Sequence, residues 1–351
     1  MEARPYIGGQ AVLEGVMMRS PKSFAVVVRR RDGSLSVRER VMPGGRTGLA
    51  KLPFFRGVAS LVESLRLGSE ALRFSAELAQ KDWDLAAAAT NVLRAIGFQL
   101  FLLATSDGAE SKAEKRGIGA MLVLMVAFFI ALPQFVTAGI MKLLHVDWPV
   151  SSMPFQAVRG CVKLAIVLGY LLLIRRMADI RRVFQYHGAE HKTISTYEAG
   201  EPLDLAHARP KTTMHPRCGT TFLVMIVLLS VVVFSIVGLL VPIHTGSRVL
   251  DNLLFFLVSL PALPVLAAVA FELQRLFARY FTKGPLRAVL VPGFLVQRIT
   301  TIEPDDDQLE VALASLRATL FREEGRAGEG ANDVAFPSYA DLVAAESLQR
   351  S

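Results

Sequence analysis

Four long apolar segments dominate the pattern of hydrophobic and polar positions along the chain. Each is close to the roughly 20 apolar residues that a helix needs to cross a bilayer. They occupy residues 118–140, 155–174, 221–243 and 252–271. The second segment carries Arg159 and Lys163 near its start, where long side chains can extend to the membrane interface. The pattern therefore predicts a mainly α membrane protein with about four transmembrane helices.

Positive charge is distributed unevenly between the predicted loops. Residues 175–220 contain eight lysines and arginines, whereas the loops at 141–154 and 244–251 contain one each. Lysine and arginine are retained on the cytoplasmic side of a membrane. We therefore expect a multi-pass protein of the cell's inner (cytoplasmic) membrane, with both termini and residues 175–220 in the cytoplasm.

Shorter patterns predict smaller elements around these spans. FAVVVRRRDGSLSVRERV, residues 24–41, predicts a β-hairpin with a type I′ turn at Asp32-Gly33 and, with the strand-like run before it, a small cytoplasmic β unit over residues 1–50. Residues 51–117 are expected to form amphipathic or interfacial helices. They include the apolar stretch at 85–105, and the sequence does not decide whether this stretch crosses the membrane. The spans pair into hairpins at 118–174 and 221–271. Interfacial and acidic helices are predicted over 272–324 and a flexible tail over 325–351.

Composition narrows the classes of partner. Hydrophobic residues make up 52% of the chain and charged residues 20%. The net charge is +15 over residues 1–302 and −7 from Glu303 onward. We expect the basic part to contact membrane lipids and, through the cytoplasmic face, membrane-protein partners. Nucleic-acid binding is not expected because no basic face is interleaved with aromatic residues.

The stretch FQYHGAEHKTISTYEAGE, residues 184–201, carries the candidate chemistry. His187 and His191 are four residues apart, so in a helix both imidazoles lie on one face and can bind one ion. Glu190 completes the order H-x-x-E-H, the inverted form of the zinc-hydrolase helix, in which the glutamate accepts a proton from water activated by the metal. This spacing predicts a divalent metal ion, zinc being expected, with Glu190 as the catalytic base.

A catalytic zinc site needs a third protein ligand. The segment HPRCGT, residues 215–220, offers both His215 and Cys218, and spacing does not decide between them. Glu198 lies between the two motifs as a possible supporting group. A structural interpretation also stays open, in which the histidines form a buried hydrogen-bonded pair and Cys218 is a small packing residue at a helix start.

Four long motifs have a common resemblance. They are GGQAVLEGVMMRSP at 8–21, YHGAEHKTISTYEAGE at 186–201, HPRCGT at 215–220 and VQRITTIEPDDDQLEVALASL at 296–316. Together they resemble the YqhQ-like family of bacterial polytopic membrane proteins, over about residues 5–320. The resemblance implies a metal-dependent enzyme of the bacterial inner membrane without implying its reaction. It places motif positions at His187, Glu190, His191, His215 and Cys218, and adds Gln10, Glu14 and Arg19.

The N-terminal motif has two interpretations. Glu14 lies in a strand-like apolar run, where a carboxylate is either exposed on the polar side of the strand or directed at a site. In the second case Glu14, with Gln10 and Arg19, would support the metal ligands from outside.

Two functions of different classes follow. The first is a membrane-embedded metal-dependent enzyme, hydrolase-like, with a cytoplasm-facing site that acts on a lipid-linked or membrane-peptide substrate. The second is a non-enzymatic membrane assembly or scaffolding protein with a structural metal or no metal. Transport is less favoured because ionisable residues are scarce at the centres of the spans.

Overall fold

The computed structural model describes residues 4–42, 55–82, 131–280, 288, 290–325 and 332–350. The described chain is mainly helical, as predicted. Its strands are β1 (Gly8–Val12), β2 (Gly15–Arg19), β3 (Ser23–Arg29), β4 (Leu35–Val41) and β5 (Asn332–Phe336). Its helices are α1 (Phe55–Asp82), α2 (Leu132–Leu143), α3 (Met153–Ile174), α4 (Ala178–Ala199), α5 (Leu205–Ala208), α6 (Gly219–Leu240), α7 (Arg248–Ser259), α8 (Ala262–Tyr280), α9 (Val291–Thr300), α10 (Asp306–Glu323) and α11 (Tyr339–Arg350). The predicted stretch at 85–105 and residues 118–130 of the first predicted span lie outside the described residues.

The strands form one antiparallel sheet in the order β1-β2-β3-β4-β5. The N-terminal β unit is thus present and is larger than a hairpin. The expectation of a flexible tail over 325–351 is wrong where β5 and α11 form, because β5 pairs with the edge of β4. Arg38 of β4 also donates two hydrogen bonds to the Asp333 carboxylate, at 2.8 and 2.7 Å. An unpaired strand edge presents free backbone donors and acceptors, which β5 satisfies.

The hairpin between β3 and β4 has a different turn from the one predicted. The Arg30 amide donates to the Ser34 carbonyl at 2.8 Å, and the Gly33 amide donates to the Arg30 carbonyl at 3.0 Å. Gly33 has a φ of 88°, whereas Asp32 has no positive φ. This is a type I turn followed by a left-handed glycine, because a type I′ turn requires positive φ at both central residues.

The sheet separates two helical layers. Its residues alternate between the faces, as strand geometry requires. Met17, Phe24 and Val26 pack against α1, and Val16, Met18, Ala25 and Val27 pack against α4 and α10. The sheet is therefore covered on both sides, and its second face holds α4 in place.

Within the described residues two helices, α3 and α6, are long and apolar enough to cross a membrane, which is consistent with a membrane protein. A third crossing is possible only if α7 and α8 count as one span, and these are bent by 56°. The prediction of about four spans is thus not met in the described residues. The segment 252–271 is interrupted at Pro261. Proline has no amide hydrogen to donate, and in a continuous helix its ring clashes with the backbone carbonyl of the residue four positions earlier.

Residues 175–220, predicted as a loop, are mostly helical. The helix α4 spans Ala178–Ala199 and ends at Gly200, whose φ of 78° gives the left-handed C-cap that glycine favours. It follows α3 after a short turn, and α6 begins at Gly219. The start of α4 and the start of α6 therefore lie at the same end of the α3–α6 pair.

Candidate metal centre

Two imidazoles on α4 lie side by side. The rings of His187 and His191 have centroids 4.5 Å apart at an angle of 65°. Between them, Gly188 packs against the backbone carbonyl of Ile302, and a Cβ at position 188 would collide with it. The Ile302 amide also donates to the Phe184 carbonyl at 2.9 Å. Glycine at 188 thus lets the segment after α9 run directly along the ligand face of α4.

Both imidazoles are oriented by backbone carbonyls. Nδ1 of His187 lies 2.9 Å from the Thr300 carbonyl oxygen, and Nδ1 of His191 lies 2.5 Å from the Thr213 carbonyl oxygen. A carbonyl oxygen only accepts, so each Nδ1 carries the proton and donates it. The Nε2 atoms are then the free ligand atoms, which is the arrangement found for metal-binding histidines.

Cys218 faces the two rings from the start of α6. Its Sγ lies 3.2 Å from Nε2 of His187. Cys218 is the N-cap of α6, and its sulfur accepts from the Thr220 amide at 3.4 Å. Burial by itself raises the pKa of the thiol, but the charges and hydrogen bonds of His187 and His191 outweigh burial and hold this pKa well below its usual range. A thiolate at a helix N-terminus is the ligand form of cysteine.

The same coupling acts on His187. Burial lowers the pKa of this imidazole, but the charge and hydrogen bond of Cys218, with the charge of Glu190, outweigh it and raise the pKa to about 9. Negative charge therefore surrounds the imidazoles, which stabilises a cation in this place whether it is a proton or a metal ion.

Glu190 lies on α4 between the two histidines and is buried. It is only 5% exposed, and within the described residues its carboxylate has no hydrogen-bond donor. Burial raises the pKa of Glu190, although the charges of His191 and His187 oppose it. A Cβ at Gly9 would lie 2.7 Å from both Cγ and Oε1 of Glu190, so the glycine of β1 leaves the space that this side chain fills.

Three ligand atoms converge among the described residues. They belong to His187, His191 and Cys218, and all lie within 4.8 Å of one another. Zinc bonds of about 2.0–2.1 Å to nitrogen and about 2.3 Å to sulfur place tetrahedral ligand atoms about 3.3–3.6 Å apart. Side-chain shifts of about 1 Å would close the set to that spacing, so this donor set fits zinc.

His215 lies beside this set without joining it. Its ring centroid is 5.7 Å from that of His191. Its Nε2 lies 3.3 Å from the Glu198 carboxylate, and its Nδ1 accepts from the Arg217 amide at 3.4 Å. Burial lowers the pKa of this imidazole. Of the two residues offered by HPRCGT, the structure therefore brings Cys218 to the histidine pair and binds His215 to Glu198, which also forms an ion pair with Arg217.

The N-terminal motif residues point elsewhere. Gln10 lies against Gly68 of α1, and Arg19 forms an ion pair with Glu63 of α1 at 3.1 Å. Both occupy the sheet face opposite to α4, whereas Gly9 occupies the face toward Glu190, because side chains alternate along a strand.

Glu14 occupies the β1–β2 turn with a φ of 50°. Its carboxylate accepts two hydrogen bonds of 2.5 Å from Arg182 and one of 3.2 Å from the Tyr186 hydroxyl. Glu14 is thus neither free on a strand surface nor part of the ligand set. Its hydrogen bonds to Arg182 and Tyr186 attach α4 to the β1–β2 turn, on a side of the helix next to the side that carries the ligands.

Two glutamines that the sequence analysis did not identify hold the Cys218 segment. Gln297 accepts from the His215 amide at 2.9 Å and donates to the His215 carbonyl and the Thr221 hydroxyl, each at 2.7 Å. Gln274 donates to the Cys218 carbonyl at 2.9 Å. The sequence offers one weak signal for Gln297, a glutamine directly after the apolar run Phe294–Val296, since a polar side chain that is buried is as a rule hydrogen-bonded.

The comparisons with known proteins agree with these motifs. The family described as "Protein of unknown function (DUF1385)" matches residues 52–322. The chain is also 30% identical over 326 residues to "Uncharacterized protein YqhQ" of Bacillus subtilis (strain 168), covering 90% of this chain and 92% of that protein. No solved structure matches the chain. The chain therefore belongs to the DUF1385 family, with YqhQ as a relative.

Proposed function

We propose that this protein is a membrane-embedded metal-dependent enzyme, hydrolase-like, whose site faces the cytoplasm. The observation that carries the proposal is the convergence of His187, His191 and Cys218 on one small volume, with both Nδ1 atoms bound to backbone carbonyls. These two contacts leave the Nε2 atoms of the histidines as ligand atoms beside Sγ of Cys218, a set that suits zinc once the metal displaces the proton held by His187. Three protein ligands also leave one of four tetrahedral positions for a substrate or water.

Each side chain has a role that follows from its surroundings. His187 and His191 would hold the ion through Nε2, and Cys218 through Sγ. A bound divalent ion brings the pKa of a coordinated water toward neutrality and polarises a carbonyl or phosphoryl oxygen. Glu190 would accept and return the proton, because its buried carboxylate is not engaged by another donor in the described residues and its pKa is raised by burial.

The position of the site supports a substrate attached to the membrane. The ligand set lies where α3 ends and α6 begins, and side chains at that end of α3 are apolar and exposed, with Leu172 at 49% and Leu173 at 64%. Arg175, Arg176, Arg181 and Arg182 follow directly along the chain. We propose that the site lies at the cytoplasmic surface of a multi-pass inner-membrane protein and acts on a lipid-linked or membrane-peptide substrate.

A second function is favoured by one observation, the nearness of His215 to His191. If His215 turned away from Glu198, it would complete four protein ligands, which is the closed form of a structural zinc site. The protein would then be a membrane assembly or scaffolding protein, with partners bound at the basic face. The two functions differ in whether His215 is needed to retain the ion.

The test is metal content, measured by mass spectrometry on detergent-purified protein. The wild type is compared with His187→Ala, Glu190→Gln and His215→Ala, and His244→Ala is the control, since His244 lies in the loop after α6. The enzyme proposal predicts about one zinc per chain, lost in His187→Ala and kept in the other three. Loss in His215→Ala would indicate the structural site, and loss in Glu190→Gln would make Glu190 a ligand rather than a base. A metal-free wild type, purified without chelator, would contradict the enzyme and the structural zinc site, and would leave a scaffolding protein without metal.

A further inference from the structure

A buried arginine lies inside the apolar helix pair, at the end opposite to the metal centre. Arg159 of α3 is 2% exposed and does not extend to the interface as its sequence position suggested. One of its Nη atoms donates to Oε1 of Gln156 at 3.1 Å, so the guanidinium is directed back toward the start of the helix. Its Nε and second Nη atoms are buried and have no hydrogen-bond partner among the described residues.

A second cation approaches the same place. Lys163, one turn further along α3, has its Nζ 5.7 Å from the centroid of the Phe234 ring in α6, and the Arg159 guanidinium is 4.9 Å from that centroid. One aromatic ring contributes about 0.5–2 kcal/mol to a cation. The effective penalty for removing a charge from water is several kcal/mol per ion. The ring therefore compensates only part of the cost of burying the Arg159 charge.

The helices around these cations supply no counter-charge. In the described parts of α2, α3 and α6 there is no aspartate or glutamate. The carboxylate of Asp251 in α7 accepts from the Thr245 amide and hydroxyl, and that of Glu272 in α8 is bound by Arg56. Buried charges are as a rule paired, and since no carboxylate of the described residues pairs with these two cations, we expect the anion to belong to another molecule.

We propose that Arg159 and Lys163 form a binding site for the phosphate group of an anionic phospholipid. Arg159 lies six residues into α3 and Lys163 ten, which is about 9 and 15 Å along the axis at 1.5 Å per residue. Both side chains lean toward the helix start, as helical side chains do, which brings their charges nearer to the head groups of that leaflet. The two unpaired N–H groups of Arg159 form a fork that matches two phosphate oxygens.

The experiment is native mass spectrometry of the detergent-purified full chain titrated with phosphatidylglycerol, phosphatidylcholine or inorganic phosphate. The variants are Arg159→Met and Lys163→Met, which remove the charge and keep the apolar stem. Lys142→Met is the matched control, because Lys142 is an exposed lysine at the same end of the bundle. Thermal unfolding of each variant reports whether it folds, and Arg159→Lys supplies a second variant that keeps the charge.

The wild type should bind one phosphatidylglycerol about 30-fold more tightly than phosphatidylcholine, since each of the two basic residues contributes about 1 kcal/mol, or about fivefold, toward anionic lipid. Arg159→Met and Lys163→Met should each lower this preference about fivefold, Lys142→Met should keep it, and Arg159→Lys should keep more of it than Arg159→Met. Equal binding of both lipids by the wild type, or an unchanged preference in Arg159→Met, would overturn the proposal. Inorganic phosphate that stabilises the wild type as strongly as phosphatidylglycerol would also overturn it, in favour of a soluble anion.

Discussion

The two ends of the α3–α6 pair differ in how the side chains that would bind a ligand are held. At the end where α4 joins, each imidazole of the histidine pair is bound to a backbone carbonyl, and Gln297 makes three hydrogen bonds to the segment that carries Cys218. At the other end, two nitrogen atoms of Arg159 and the amide oxygens of Gln134 and Asn252 have no partner in the part of the chain that the structure describes.

This difference separates two kinds of binding site. A site whose side chains are already oriented by the protein is prepared to hold a small ion at fixed distances, because little ordering is left to binding. A site whose donors and acceptors are unpaired is incomplete without a ligand that supplies them. The first end therefore suits a metal ion, and the second suits a larger group that brings its own oxygens.

The largest expected effect is at the metal ligands. Replacing Cys218 by alanine should weaken metal binding more than about 100-fold, because loss of a ligand exceeds the 10–100-fold effect of its supporting partners. Cys161→Ala is the matched control, since Cys161 is an exposed cysteine of α3. Competition with a chelating dye measures both affinities. Equal losses in the two variants would show that Cys218 is not a ligand.

Replacing Gln297 should weaken metal binding less than replacing Cys218 does. Gln297→Ala deletes the three hydrogen bonds that hold the His215 backbone and Thr221, so Cys218 loses its fixed position. Metal affinity should fall about 10–100-fold. The neighbouring exposed Arg298 gives the control Arg298→Ala, measured with the same dye. Unchanged affinity in Gln297→Ala would mean that the segment is held by Gln274 and packing alone.

The packing of Glu190 against β1 can be tested at a glycine. The added methyl group of Gly9→Ala would overlap Cγ and Oε1 of Glu190, and should lower the free energy of unfolding by about 1–2 kcal/mol. Gly139→Ala is the opposite control, because no atom lies within 4 Å of its added methyl group and alanine favours a helix. Thermal unfolding in detergent compares them. If Gly9→Ala is as stable as the wild type and its activity is unchanged, the glycine does not constrain the position of Glu190.

The smallest change in stability is expected at the unpaired end. In delipidated detergent, Arg159→Met should leave the free energy of unfolding unchanged or raise it by about 1 kcal/mol, since it removes a buried charge without breaking an ion pair. Gln297→Ala measured alongside should lower it. If Arg159→Met is destabilised as strongly as Gln297→Ala, the two ends do not differ in the way described.

Parts of this arrangement were predictable from local sequence. The spacing of His187 and His191 predicts a shared helix face, and the structure has both on α4. The N-terminal β unit followed from its hairpin pattern. Both predictions depend on residues close together in the chain, where periodicity carries the information.

Other parts depend on distant contacts and could not be predicted. β5 joins the sheet by pairing with the edge of β4. The two strands are far apart in sequence, since Arg38 and its partner Asp333 are separated by 295 positions. The contact between Gly9 and Glu190 depends on how β1 is aligned along α4, which local sequence does not determine. The hydrophobic pattern predicts residues 252–271 as one span in spite of Pro261, because whether neighbouring helices compensate for a proline in a span is decided by packing.

The most direct test of the central claim is X-ray absorption spectroscopy at the zinc edge, on detergent-purified wild type and Cys218→Ser. We expect one sulfur at about 2.3 Å with imidazole nitrogens at about 2.0–2.1 Å in the wild type, and loss of the sulfur contribution in the variant. A first shell of oxygen atoms alone, or a sulfur contribution that persists in Cys218→Ser, would contradict it.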